Sequence, residues 1–262
     1  MEQSESFKKE IEQIYNKEKH LSFSALKAFL SSPKHFYRYK MQKETTKAME
    51  SGKMFHMAIL EPEKFKDSYF VLDDENICAQ IGGAKPRSTS KYKAWKLEQI
   101  ELNIGKELIS IEDYNKFQVM GEYLYKCSAT KELMNGLIHK EKRIEFEHNN
   151  FNIIGYIDGE GEDYILDLKK VADASFKKVR WTIQDMRYDM QAAIYSAAVK
   201  KINYYLIFID NDINVLVVKL HPETLQSGFV AFETSLAEFQ RCIEEDAFNS
   251  SYEFFNNGYI EV

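Results

Sequence analysis

Cysteine, proline and long apolar runs are scarce in this chain. Three cysteines in 262 residues, Cys78, Cys127 and Cys242, are odd in number and far apart. That excludes a disulfide framework and any CxxC metal or cluster motif. No apolar run approaches the roughly 20 residues of a membrane-spanning helix, so no membrane partner is expected. Met1-Glu2-Gln3-Ser4-Glu5 lacks the basic and apolar regions of a signal peptide, and a reducing bacterial or phage-infected cytoplasm is the expected compartment. With 4 prolines and 11 glycines the composition is neither fibrous nor disordered. Phosphate-cradling loops are missing too: Gly82-Gly83-Ala84-Lys85-Pro86 has the wrong spacing. Neither a GxSxG nucleophile elbow nor an HExxH helix occurs.

What remains is a well-provisioned globular chain. Hydrophobic residues make up 44% and charged residues 29%, and 18 Phe and 16 Tyr supply an ample aromatic core. One elaborated domain spanning residues 1–262 is expected. The net charge of -6 sits awkwardly with a phosphate-rich partner, but the distribution matters more than the sum. Basic residues gather at Lys34–Lys53, at Lys85–Lys96 and from Lys169 to Arg187. Each cluster also reads as an ordinary solvated mixture of charges.

Periodicity divides the chain near residue 142. Before it, helices are expected over 5–18, from Ser24, from Ser32-Pro33 to Met41, over 45–60, 91–103 and 111–135. A strand is expected at 68–72 and a loop at 76–90. After it come strands at 142–148, 151–157 and 164–168, one long helix at 182–200, strands at 203–209 and 213–219, and a helix at 222–245. The fold class is α/β (α+β): a central mixed sheet flanked by helices, after a mostly helical half covering 1–140.

Two short runs carry the chemistry. Gly155-Tyr156-Ile157-Asp158 and Ile165-Leu166-Asp167-Leu168-Lys169 are separated by a Gly/Glu-rich turn. Residues two apart on a strand share a face, so Asp167 and Lys169 project together. Hard carboxylate oxygens suit Mg²⁺ or Mn²⁺, and an ammonium beside them can orient or help deprotonate an attacking water. A structural ion pair is the competing reading. On the expected 182–200 helix, Gln184, Arg187 or Tyr188, Gln191 and Tyr195 form a polar stripe at helical spacing. Gln and Tyr are an unusual choice for a face that merely meets water. His56 falls on an apolar helix face, where a lone histidine reads first as a core residue. Glu145, on the strand before Asp158, is a possible accessory acid.

Taken together, Gly155-x-x-Asp158, Asp167-x-Lys169 and Gln191-x-x-x-Tyr195 resemble the PD-(D/E)xK nuclease superfamily in its RecB-like branch. Leu21-Ser22-Phe23-Ser24, Ser32-Pro33-Lys34-His35-Phe36, Thr46–His56 and Arg187–Tyr195 are similar to the phage and prophage exonuclease VIII (RecE-type) nuclease domain. The resemblance implies a PD-(D/E)xK core to which the helical half contributes His56. It makes His56, Asp158, Asp167 and the Leu168 backbone carbonyl metal ligands, for Mg²⁺ with Mn²⁺ as substitute. Asp158, Asp167, Lys169, Gln191 and Tyr195 become the catalytic set, and Arg187, Tyr188, Lys170 and Gln191 DNA contacts. The implied activity is a metal-dependent 5′-to-3′ exonuclease on double-stranded DNA ends in phage-type recombination. A single-strand annealing protein is the implied partner and a homo-oligomeric ring the implied assembly. Relatives of this branch often carry an iron–sulfur cluster; three scattered cysteines exclude one here. A structure-specific endonuclease with the same site, or a non-catalytic DNA-binding scaffold, are the alternatives.

Overall fold

The computed structural model describes residues 20–41 and 45–256. The helix expected at 5–18 lies outside them. The chain opens with β1 (Leu21–Ser22) and α1 (Phe23–Ser31), where Ser22 accepts a bond from the Ala25 N–H at 3.2 Å and so caps the helix. Next come α2 (Pro33–Met41), α3 (Lys47–Leu60) and α4 (Pro62–Ser68). Thr46 caps α3 through Met49 N–H, and Pro62 occupies the first turn of α4, where its missing N–H costs nothing. A peripheral unit follows: β2 (Tyr69–Leu72), α5 (Glu75–Ile81), α6 (Ser90–Leu102), β3 (Glu107–Ser110), α7 (Ile111–Lys126) and α8 (Lys131–Asn135).

Residues 76–90 are not all loop, as their composition suggests. Asp74 is buried, and it holds the segment by accepting from Arg87 Nε and Nη2 at 2.7 and 2.8 Å and from Tyr92 OH at 2.6 Å. The Arg87 bonds, helped by Tyr92, bring the Asp74 carboxyl down to about 2 against the cost of burial. β3 was not anticipated either; it pairs in parallel with β2 as a small separate sheet.

The catalytic-looking half comprises β4 (His139–His148), β5 (Phe151–Glu160), β6 (Tyr164–Lys170), α9 (Phe176–Asp185), α10 (Tyr188–Val199), β7 (Asn203–Ile209), β8 (Val215–Lys219), α11 (Pro222–Glu244) and α12 (Glu253–Asn256). β4 and β5 form a long hairpin about Asn149-Asn150, both left-handed at φ 47° and 66°, as a two-residue turn of this kind requires. The other edge of β5 is divided. β1 pairs with it in parallel at Ile153–Ile154, and β6 antiparallel only at Gly159–Glu160. Among the described residues, the segment 155–158 has no strand partner on that edge, so the sheet forks there. β6 continues in parallel with β7, which pairs antiparallel with β8.

Helices cover both faces of this sheet. Ile153, Ile157, Ile165, Leu206 and Phe208 pack under α1, α10 and α11. Leu166, Leu168, Ile207 and Ile209 face the other way, against α3, α4 and α7. Both cores mix residues from before and after residue 142. Gly228 lets α11 close on α10: a Cβ there would stand 2.1 Å from the Asp189 carbonyl oxygen. The expected 182–200 helix is two helices, because Arg187 takes a left-handed φ of 55° between them. Gln184 therefore leaves the polar stripe. No helix among the described residues is long and apolar enough to cross a membrane.

Candidate active site

The fork explains why two acids on adjacent strands meet. Where β6 leaves β5, the Leu168 N–H has lost its ladder partner, and it donates instead to Asp158 Oδ2 at 2.7 Å. A buried N–H without an acceptor costs roughly 1–3 kcal/mol, so the carboxylate at position 158 stabilises the split as well as facing the gap. Asp158 and Asp167 are both buried. Burial raises both carboxyls; His56 then carries Asp158 well below its ordinary range. For Asp167, burial and the Asp158 charge outweigh the pull of Lys169, and its pKa rises. Two like charges at one buried site resist joint ionisation, and the pair resolves by splitting its protons.

α3 delivers His56 to this point. Its Nδ1 lies 3.4 Å from Asp158 Oδ1 and 3.8 Å from Glu141 Oε1. Burial disfavours the imidazolium, but Asp158 and Glu141 together lift its pKa to about 10. His56, Glu141 and Asp158 present ligand atoms within 4.8 Å of one another, a spacing that could hold a metal ion. Glu141 Oε1 is buried and has no hydrogen-bond partner. Its backbone is left-handed, with φ 48°, near the start of β4.

Asp167 is held from the other side. Lys169 Nζ pairs with Asp167 Oδ2 at 2.8 Å, and the Tyr204 hydroxyl donates to the same oxygen at 3.3 Å. Lys169 is largely withdrawn from solvent, which alone would discourage its charge, yet Asp167, Tyr188 and Asp158 raise its pKa. Its Nζ also donates to Gln191 Oε1 at 3.1 Å and lies 4.3 Å from the centre of the Tyr188 ring. A lysine has no acceptor, so Gln191 must turn its oxygen to it. The Gln191 amide nitrogen is then free to donate to Tyr195 OH, at 3.3 Å one helical turn on. Tyr195 in turn packs its ring against the backbone of Gly155. A Cβ at 155 would stand 2.6 Å from Tyr195 Cε1, so only glycine admits the ring. The three motifs are thus one physical chain from Gly155 through Tyr195, Gln191 and Lys169 to Asp167.

Asp158, Asp167, Lys169, Gln191, Tyr195, Tyr188 and His56 therefore come together. Lys170 does not: it projects to the opposite sheet face, where burial and Lys116 of α7 lower its pKa. Glu145 is also away from the cluster, exposed, with Asn152 at 2.7 Å and Arg143 at 2.6 Å. The acid that arrives in its place is Glu141. Arg187 stands beside the site with its guanidinium on Asp189, at 3.1 and 3.2 Å. Counting outward from the Asn149-Asn150 turn would have placed Glu141 across from Asp158, since Lys140 and Lys142 pair with Gly159 and Ile157. Tyr204 and Lys27 left no local signal. Lys27, on α1, donates to Met186 Sδ at 2.9 Å, and burial and the Lys169 charge outweigh Asp185 to lower its pKa.

Residues 22–252 match the family described as a PDDEXK-like domain of unknown function (DUF3799). The chain belongs to this family. The fold of this PDDEXK-like domain is also that of a candidate exonuclease from Eubacterium rectale, at 13% identity and a TM-score of 0.61, over 95% of this chain and 91% of that one. A phage-related exonuclease from Haemophilus somnus aligns at 13% identity and TM-score 0.35, covering 66% of this chain and 94% of that one. An alkaline exonuclease from Laribacter hongkongensis aligns at 14% identity and TM-score 0.32, covering 74% and 95%. No protein of curated function matches the chain.

Proposed function

We propose that this PDDEXK-like domain is a divalent-metal-dependent deoxyribonuclease, acting as a 5′-to-3′ exonuclease on double-stranded DNA ends. The observation that carries the reading is the buried Glu141 oxygen, without a hydrogen bond, facing His56 and Asp158 beside a lysine locked onto Asp167. Oxygen-rich donors with one imidazole fit a hard or borderline divalent ion, and a buried carboxylate oxygen without a donor is what such an ion would satisfy. His56, Asp158 and Glu141 would hold it, with Asp167 and the Leu168 carbonyl completing the set. Mg²⁺ is the ion proposed, with Mn²⁺ as substitute. When bound, it supplies a Lewis acid for a phosphoryl oxygen and a more acidic water.

The chain's own groups do the positioning. Lys169, held by Asp167 and Gln191, acts as a fixed hydrogen-bond donor to the attacking water or to developing phosphoryl charge. Gln191 has both ends of its amide engaged by Lys169 and Tyr195, which makes it a positioning residue for the lysine. Tyr188 caps Lys169, and Arg187 is placed to meet phosphate at the rim. Strand polarity, a recombination role beside a single-strand annealing protein, and a ring whose channel gathers basic residues are part of the same proposal; the resemblance to the RecE-type nuclease domain supports them.

The test compares linear and circular duplex DNA carrying 5′ or 3′ labels, in Mg²⁺ and in chelator. Release of nucleotides from linear DNA alone, 5′ label first and only with metal, is the expected result. Asp167→Ala and Lys169→Ala should abolish it while far-UV circular dichroism stays unchanged. Cutting of circular DNA would point to an endonuclease, and folded variants with full activity would refute the site. Light scattering showing only monomers would sink the ring.

A further inference from the structure

A cleft of about 520 Å³ lies between α9, the end of β8 and the start of α11, on the far side of Arg187 from the fork. Phe176 and Ile183 form an apolar wall, and Arg180, Arg187 and His221 stand around it, while the Lys219 ammonium lies over the Tyr205 ring on the other face of the sheet. Asp189 is the one carboxylate in its lining, and Arg187 already engages it. In a chain of net charge -6, this is a local excess of positive charge. Phe176 is 72% exposed, and Trp181 on the same helix 64%. An aromatic ring left in water contributes little to folding, so the placement of Phe176 beside Arg180 and Arg187 calls for a ligand with flat apolar faces and negative charge.

The cleft adjoins the fork site through two consecutive residues. The left-handed turn at Arg187 aims that side chain into the cleft, and the next residue, Tyr188, lies over Lys169. A wall one residue thick separates the two. We propose that the cleft binds single-stranded DNA, taking up one strand where it leaves the fork. This rests on the nuclease reading for the identity of the ligand. A duplex hides the faces of its bases, whereas a single strand offers them for stacking while its phosphates meet the basic rim.

The test measures binding of a fluorescein-labelled oligothymidylate by anisotropy, in chelator, for the full chain. Phe176→Ala should weaken binding about 5- to 150-fold, and Phe176→Tyr should restore it. Arg180→Ala should reduce the slope of log affinity against log salt by about 0.7. Thermal midpoints control for folding, since these side chains are exposed. Asp167→Ala, which removes hydrolysis, should bind the oligonucleotide as the unaltered chain does. Affinity and salt slope unchanged in the cleft variants would overturn the proposal, even if the protein degrades DNA. Loss of binding in those variants would sustain the cleft even if no hydrolysis were found, so the two readings fail separately. Variants that lose self-association or acidic-peptide binding, and keep oligonucleotide affinity, would assign the cleft to a protein partner and overturn it too.

Discussion

Gly155→Ala is the sharpest probe of how the motifs cooperate. The added methyl would stand 2.6 Å from Tyr195 Cε1, 3.2 Å from Cζ and 3.3 Å from the hydroxyl oxygen. Non-bonded carbons rest at about 3.5–4.0 Å, so the overlap is about 1 Å. Tyr195 is only 7% exposed and packed among core residues, so it has little room to retreat. Overpacking of this kind costs about 1–3 kcal/mol. The backbone at 155 is not left-handed, so alanine also stiffens the unfolded chain and returns about 0.4–1 kcal/mol. The net loss, up to about 2.5 kcal/mol, corresponds to a thermal midpoint lower by up to about 10 °C. Activity should suffer more. Displacing the ring breaks the 3.3 Å bond from Gln191, and the lysine loses one of its fixed partners. A misplacement near 1 Å costs roughly 100-fold in turnover. Differential scanning calorimetry and nucleotide release read the two effects. In a Tyr195→Leu background the methyl should cost less than about 1 kcal/mol, because the ring it strikes is gone. An unchanged midpoint and rate for Gly155→Ala, or an equal cost in both backgrounds, would refute the argument.

Other consequences follow from the same contacts. Glu141→Gln removes the charge of a proposed ligand but keeps the shape, and isothermal titration with Mn²⁺ should show affinity weakened more than about ten-fold. His56 is raised to about 10, so below that pH it carries a proton that a metal must displace. Metal affinity should therefore rise with pH up to about 10, with about one proton released per ion between about 7 and 10 and a second, from Asp167, below about 7, and Glu141→Gln should shift the upper part of that dependence by lowering the His56 pKa; titration in buffers of different ionisation heat counts the protons. For Asp74, the folded pKa of about 2 lies below the usual unfolded value of about 3.9. Its stabilisation is present above pH 3.9 and is lost as pH falls through 2, because the unfolded chain binds the proton more readily. With Arg87 exposed and screened, that amounts to about 1 kcal/mol, which Asp74→Asn should remove at pH 7 while flattening the acid limb of unfolding between pH 2 and 4.

Much of the fold was legible because the relevant forces are local. Period-two and helical patterns located β5, β6, β7 and α11 to within a few residues, and Ser22, Thr46 and Pro62 act at the helix starts through bonds to their neighbours. Misses came where distant contacts decide. Nothing near Asp74 announces that Arg87 and Tyr92 will order residues 75–88. The turn at Arg187 interrupts a sequence whose helical pattern runs straight through it, and it separates a residue facing the cleft from one facing the lysine.

The sequence by itself determined the elements and the identities of the reactive groups: two acids and a lysine on neighbouring strands, a Gln and a Tyr one helical turn apart, a histidine on a helix. Covalent spacing and strand or helix period settle such things. Only the tertiary structure decided what each group does there. Because β6 departs from β5, Asp158 must serve a stranded N–H. Because β4 folds back on β5, Glu141 arrives beside His56 with one oxygen that no hydrogen bond satisfies, while Glu145, four residues on, stays in water. Tyr195 meets Gly155 across a gap that no pattern encodes, and through that contact the lysine is held. These are distances between residues far apart in the chain, set by how helices cover a forked sheet.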